Sequence, residues 1–281
     1  MAIPMLRAAM ISHSQSQPLI HSISAIYETA KRRKRVVFSS SSSSSSSELN
    51  PVIRSEVSFC VGTCLIPHPK KVNTGGEDAF FVSNYNGGVI AVADGVSGWA
   101  EEDVDPSLFP RELLANASNF VGDEEVNYDP QILIRKAHAA TFSTGSATVS
   151  IVAMLEKNGT LKIANVGDCG LRLIRNGKQV CNVELIQGDT IVMGSDGLFD
   201  NVFDHEIVPT IVRYKDVAEA AKALANLASS HAMDSNFDSP YSLEARSRGF
   251  EPPLWKKILG MKLTGGKLDD ITVIVGQIVS S

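Results

Sequence analysis

From residue 57 onward the apolar positions fall into short, dense runs, and many of these runs stop at an acidic residue. Gly88-Val89-Ile90-Ala91-Val92-Ala93 is followed directly by Asp94-Gly95, and Ile191-Val192-Met193 by Gly194-Ser195-Asp196-Gly197. Leu161-Lys162-Ile163-Ala164-Asn165-Val166 runs into Gly167-Asp168. At the opposite end of a run, Gly76-Glu77-Asp78 precedes Ala79-Phe80-Phe81-Val82, and Asp269-Asp270 precedes Ile271-Thr272-Val273-Ile274-Val275. Short apolar runs rich in β-branched residues and bounded by glycine and aspartate predict buried strands. Acidic sites therefore stand at the mouths of five strands. One Asp-Gly after a strand is an ordinary turn. The repetition is what asks for chemistry.

The same pattern predicts strands over 57–65, 79–83, 88–93, 146–155, 161–166, 170–175, 190–194 and 271–279, and helices near 107–120, 130–142, 204–213 and 216–231. Asn158-Gly159 and Asp168-Cys169-Gly170 are short enough to join strands 146–155, 161–166 and 170–175 as an antiparallel meander. Runs of strands and runs of helices indicate an α+β architecture, with helices covering antiparallel sheets.

Composition changes this picture mainly at the N-terminus. The 281 residues, 43% hydrophobic, suffice for one large domain with a tail. Residues 1–47 hold one acid, Glu28, against Arg7, Lys31, Arg32, Arg33, Lys34 and Arg35, and end in the serine run Ser39 to Ser47. A basic, serine-rich, acid-poor leader is read as an organelle transit peptide, in preference to a nuclear address in Lys31–Arg35 or an address-free tail. The domain expected to follow is 48–281, with 20 basic and 30 acidic residues and a formal charge of −10. That balance excludes nucleic acid as the main partner, because phosphate backbones demand a basic face. No apolar stretch is long enough to span a bilayer, so no transmembrane segment is expected. Cys60, Cys64, Cys169 and Cys181 are too few and too scattered for a disulfide framework, and a reducing compartment is expected.

The candidate ligands Glu77, Asp78, Asp94, Asp168, Asp196 and Asp269 offer only oxygen donors. Such a set suits Mg²⁺ or Mn²⁺. Clustered carboxylates without a cation would not stay ionised together, and two divalent ions remove that conflict. Lys70, Lys71, Arg172 and Arg175 are available to meet a phosphate, although solvated surface charge is the commoner fate of such residues.

In order along the chain, Gly76-Glu77-Asp78, Asp94-Gly95, Gly145-Ser146-Ala147-Thr148, Asn165-Val166-Gly167-Asp168, Gly194-Ser195-Asp196-Gly197-Leu198-Phe199-Asp200 and Asp269-Asp270-Ile271-Thr272-Val273 resemble the motifs of the protein phosphatase 2C family, the metal-dependent serine/threonine phosphatases. The resemblance covers residues 57–279. It implies a four-layer α-β-β-α sandwich of two antiparallel sheets flanked by helices, a monomer, with a dinuclear Mn²⁺ or Mg²⁺ centre at one end. Asp94 matches the bridging ligand and Gly95 the glycine that lends its carbonyl. Asp196 and Asp269 match further ligands of one ion, Glu77 the acid serving the second through water, and Asp168 an acid associated with a weaker third ion. Asp94, Asp196 and Asp269 are the implied catalytic set. The Ser97-Gly98-Trp99 variant and the Lys262 to Asp270 ending resemble the organellar branch, including a plant chloroplast member that acts on photosystem II core proteins. The implied substrate is a phosphoprotein and the implied location the chloroplast stroma or thylakoid surface, with mitochondrion and nucleus as alternatives.

The chain departs from the family pattern at three points. Val96 stands where many members carry histidine, and the phosphate-gripping arginine upstream of Glu77 is missing, leaving Lys70 or Lys71 as substitutes. Residues 176–189 form a short connection where relatives carry a longer segment that contributes to a flap. That shortening supports a rival expectation, a metal-binding pseudophosphatase that holds phosphoproteins without turnover.

Overall fold

The computed structural model describes residues 55–180, 184–250 and 262–281. The tail expected over 1–47 lies outside them, as does Cys181. Among the described residues nine strands are present: β1 (Val57–Ile66), β2 (Ala79–Ser83), β3 (Val89–Gly95), β4 (Ala147–Leu155), β5 (Leu161–Val166), β6 (Gly170–Arg175), β7 (Lys178–Val180), β8 (Thr190–Gly194) and β9 (Ile271–Ser280). They make two antiparallel sheets, ordered β1-β9-β8-β6-β7 and β2-β3-β4-β5. The helices are α1 (Leu108–Phe120), α2 (Pro130–Ala139), α3 (Asp196–Phe199), α4 (Asp204–Ile211), α5 (Val217–Met233) and α6 (Pro240–Ser247), with a 3-10 turn at Ser97–Glu102.

Strand alternation sorts the side chains into layers. Ile90 and Val92 of β3 meet Ile191 and Met193 of β8 and Ile274 and Ile278 of β9 in a core between the sheets. Val89, Ala91 and Ala93 turn the other way, onto Leu113, Leu114 and Ala117 of α1 and Leu133 and Ala137 of α2. On the far side, Val192, Val273 and Val275 pack against Ala221, Leu224 and Ala228 of α5. Each large aliphatic side chain buried in this way contributes about 1.5–3 kcal/mol. The result is the four-layer α-β-β-α sandwich. Helix starts are fixed locally: the Asp129 carboxylate accepts from Gln131 N and Ile132 N, and that of Asp216 from Ala218 N and Glu219 N.

One expectation fails. Strands β4 and β5 pair as a hairpin, but β6 does not continue the meander; it pairs with β8 and β7 in the other sheet. The Gly167-Asp168-Cys169 link is therefore a crossing between sheets, with Gly167 at φ 117°. A crossing and a hairpin turn of this length look alike in sequence. The short connection closes differently from a bare loop. Asn176 and Gly177, at φ 52° and 68°, turn β6 into the three-residue edge strand β7. Beyond it, Glu184 bridges to Thr160, and Leu185 N donates to Gly159 O at 2.7 Å.

Candidate metal centre and active site

The stripe of residues that fills the inter-sheet core ends in acids. Asp94 follows Ile90 and Val92 in alternation, at the point where the register of β3 against β4 shifts. Such a bulge ends regular pairing and re-aims the side chain. On β9 the residue in step with Ile274 and Ile278 is Thr272, whose Oγ1 donates to Asp78 Oδ2 at 2.6 Å. Asp270 organises the neighbouring loop: its Oδ2 accepts from Glu77 N at 2.8 Å and its Oδ1 from His68 N at 2.6 Å. Gly76, at φ 82°, has no room for a side chain, because a Cβ would lie 2.6 Å from Asp270 Oδ1. At Gly95 a Cβ would lie 2.8 Å from Glu77 O and 2.5 Å from Pro106 O. Only glycine lets the end of β3 lie against the backbone of Glu77.

Two lysines divide the acids between them. Lys71 Nζ stands 2.8 Å from Glu77 Oε2 and 3.5 Å from Asp270 Oδ2, and donates to Ser97 Oγ at 3.1 Å. Ser97 Oγ in turn donates to Glu77 Oε2. Lys267 Nζ pairs with Asp196 Oδ2, with Asp200 Oδ2 at 2.9 Å and with Asp269 Oδ2 at 3.4 Å. Asp196 opens α3 directly after β8, and Asp269 lies two residues before β9. Trp99 Nε1 donates to Ser146 Oγ at 2.8 Å, tying the Ser-Gly-Trp turn to the Gly145-Ser146 loop.

The electrostatics show how crowded this end is. Burial pushes the Asp94 carboxyl well above the usual range, and Asp78, Asp196 and Asp269 push it further. Asp78, 3% exposed, is raised to about 7, first by burial and then by Asp270 and Asp269, against the hydrogen bond from Thr272. Burial and the neighbouring Asp196 raise Asp168. Burial raises Asp200 to about 6 against the pull of Lys267. Burial works against the charge on Lys267, yet Asp196, Asp200 and Asp269 hold its ammonium well above the ordinary lysine range.

The structure thus brings Asp78, Asp94, Asp168, Asp196 and Asp269 into one electrostatic neighbourhood, with Glu77 joined to it through Asp270 and Lys71. The donor set fits a hard divalent cation. Its side-chain donors are all oxygens, and two of them, Asp78 Oδ1 and Asp196 Oδ1, are buried without a hydrogen-bond partner among the described residues. Among the described residues, however, no three Asp, Glu, His or Cys side chains already form a metal cage. Sequence reasoning missed the roles of Asp200, Asp270, Ser97 and Lys267. Each lay within a quoted motif, but the partners are up to 202 positions apart. Arg172 and Arg175 are engaged elsewhere, with Asp204 and Asp189 respectively, and Lys70 sits on the exposed side of the His68 turn. Of the four expected phosphate-facing cations, Lys71 alone borders the acids.

No family model matches the chain. The chain is 59% identical over 265 residues to "Probable protein phosphatase 2C 26" of Arabidopsis thaliana, across 84% of its own length and 88% of the relative's. It belongs to the protein phosphatase 2C family. It is also 58% identical over 253 residues to "Probable protein phosphatase 2C 1" of Oryza sativa subsp. japonica, across 79% of this chain and 76% of that one. Among solved structures, the photosystem II phosphatase PBCP is 56% identical, with a TM-score of 0.75, covering 79% of this chain and 100% of that one. The catalytic domain of the phosphatase PstP, solved with two manganese ions, is 19% identical with a TM-score of 0.52, over 79% and 99%; it shares the fold. Family membership makes this chain a serine/threonine protein phosphatase that uses Mn²⁺ or Mg²⁺.

Proposed function

We propose that the chain hydrolyses phosphoserine and phosphothreonine in photosystem II core proteins, in the chloroplast, with residues 1–47 as its transit peptide. The observation that carries the catalytic part is the convergence of buried acids at one end of the sandwich, two of them with an oxygen that no group among the described residues satisfies. In this reading Asp94, with the Gly95 carbonyl beside it, would be the central residue holding the ions. Asp196 and Asp269 would help to hold one ion, Glu77 another and Asp168 a third. Ions held there supply positive charge against the developing phosphoryl oxygens and lower the pKa of water.

The chain's own groups do the rest. Burial of Asp94 at the end of the apolar stripe keeps it in a low-dielectric setting, where its charge acts strongly. Ser97 and Lys71 fix Glu77 through the same Oε2 atom. Lys71 is also placed to meet a phosphate, with charge but without the bidentate fork of an arginine. Val96 offers no proton to the leaving alkoxide. The presence of every expected acid supports turnover over the pseudophosphatase reading.

The substrate class rests on the 56% identity to a photosystem II phosphatase. The test adds purified chain and Mn²⁺ to phosphorylated thylakoids and follows phosphothreonine by immunoblot. Core-protein phosphorylation falls first if the reading is right. Hydrolysis of a generic phosphopeptide with the core proteins left untouched overturns the substrate assignment.

A further inference from the structure

Lys267 is the cation at this centre to which no role has yet been given. Its backbone is pinned: Asn201 Oδ1 accepts from Lys267 N and Asn201 Nδ2 donates to Lys267 O, both at 2.9 Å, and Asn201 is completely buried. Its side chain is the movable part, a flexible stem carrying one ammonium. That ammonium occupies Asp196 Oδ2 and Asp269 Oδ2, two of the carboxylates assigned to a metal, as well as Asp200 Oδ2. The next residue, Leu268, is 49% exposed, so solvent lies close by.

An ammonium and a divalent cation cannot share these oxygens at close range, because like charges at contact distance repel strongly in a partly buried site. Without either cation the acids would be left facing one another, which burial forbids for ionised groups. We propose that Lys267 is a built-in counter-ion. It neutralises Asp196, Asp200 and Asp269 while the site is metal-free. It is displaced toward solvent when the ion loads, and so sets the metal affinity of the centre. This rests on the metal-ligand reading of Asp196 and Asp269 given above. It also accounts for the lack of a ready-made cage among the described acids, since a lysine stands between them.

The experiment uses the whole wild-type chain, with calorimetry to measure Mn²⁺ binding and lysine acylation counted by mass spectrometry with and without Mn²⁺. Lys267 labels slowly in chelator and about fivefold or more faster at saturating Mn²⁺, the scale expected when a paired, buried ammonium is released. Lys178, exposed on β7, serves as the unchanged control. In the second arm, K267M binds Mn²⁺ about tenfold or more tightly, since a competing charge is gone. Its melting temperature in chelator falls, and Mn²⁺ raises it by more than in wild type. Mn²⁺ binding with unchanged or slower Lys267 labelling overturns the proposal, as does weaker Mn²⁺ binding by K267M. Should K267M not fold, the wild-type labelling decides alone. A wild-type chain that binds no Mn²⁺ fails in the calorimeter, where the metal reading itself falls and takes the proposal with it.

Discussion

Asp78 accepts from Thr272 through Oδ2, has no hydrogen-bond partner on Oδ1 among the described residues and is almost wholly buried. Its carboxyl is raised to about 7 and that of Asp200 to about 6, both from 3.8. A raised acid keeps its proton in the native state at a pH where the unfolded chain has already released it. Native protein therefore binds more protons than unfolded protein between about pH 4 and pH 7, and its stability falls as pH rises through that window. The slope is at most about 1.4 kcal/mol per pH unit for each group. Urea unfolding in chelator should show a less stable protein at pH 7.5 than at pH 5. Saturating Mn²⁺ should flatten or reverse the trend, because ligand carboxylates must be deprotonated to bind it. Greater stability at pH 7.5 in chelator would contradict this account of the buried acids. At this scale the sequence was informative about position, since Asp94, Asp168, Asp196 and Asp269 all lie at or beside strand ends, as the acidic punctuation of the apolar runs implied. It was silent on what holds them. Asp270 reaching back to Glu77, and Lys267 reaching Asp196, are long-range contacts that no local spacing encodes.

The elements tell a similar story. Val89 to Ala93 is apolar at every position, and Ile271 to Val275 at every position but Thr272, because both faces of these strands are covered, and that makes them legible. Strand β7 was legible too and was overlooked: Asn176-Gly177 is the standard residue pair for a tight hairpin with two positive φ angles. Helix α6 carried its own signal in Ser239-Pro240, with Ser239 Oγ accepting from Ser242 N at 3.1 Å, but at eight residues it shows little periodicity. The sheet assignment of β6 could not be read locally, because it depends on β8.

The short connection into β8 is held by Arg175, not by length alone. The guanidinium grips both oxygens of Asp189, at 2.7 and 2.6 Å, and donates to Glu184 O at 2.9 Å. Asp189 is 1% exposed and also accepts from Ile186 N. Arg175→Met would strand a buried carboxylate. The expected loss is about 2–3 kcal/mol, below the full cost of breaking a buried pair because the guanidinium is partly solvated. Arg175→Lys should recover only part of that, lacking the fork. Unchanged unfolding free energy in Arg175→Met would show that the connection is held by something else.

For the molecule as a whole, the sandwich explains why the acids meet: the stripe between the two sheets runs out at one end, and β2, β3, β8 and β9 all deliver residues there. The relative from Arabidopsis thaliana aligns over 265 residues while covering 84% of this 281-residue chain, so it carries residues within the matched region that this chain lacks. On the proposed reading, in which that segment belongs to a flap beside the site, its loss would leave the candidate ligands in place and thin the walls that orient a phosphopeptide. Orientation can supply roughly 7–11 kcal/mol of barrier reduction, so the rate is more exposed to the change than metal binding is. The central claim is that the acids centred on Asp94 carry a metal-dependent hydrolysis. The most direct measurement is the initial rate of phosphate release from a phosphothreonine peptide. It is taken for the wild-type chain in Mn²⁺, in chelator, and after Mn²⁺ is restored, and for Asp94→Asn in Mn²⁺. The account predicts turnover in Mn²⁺, none in chelator, full recovery on restoration, and a loss of roughly a thousandfold or more in Asp94→Asn, whose amide cannot serve as a charged ligand shared by two cations. Turnover that persists in chelator, or an Asp94→Asn chain as fast as wild type, would contradict it.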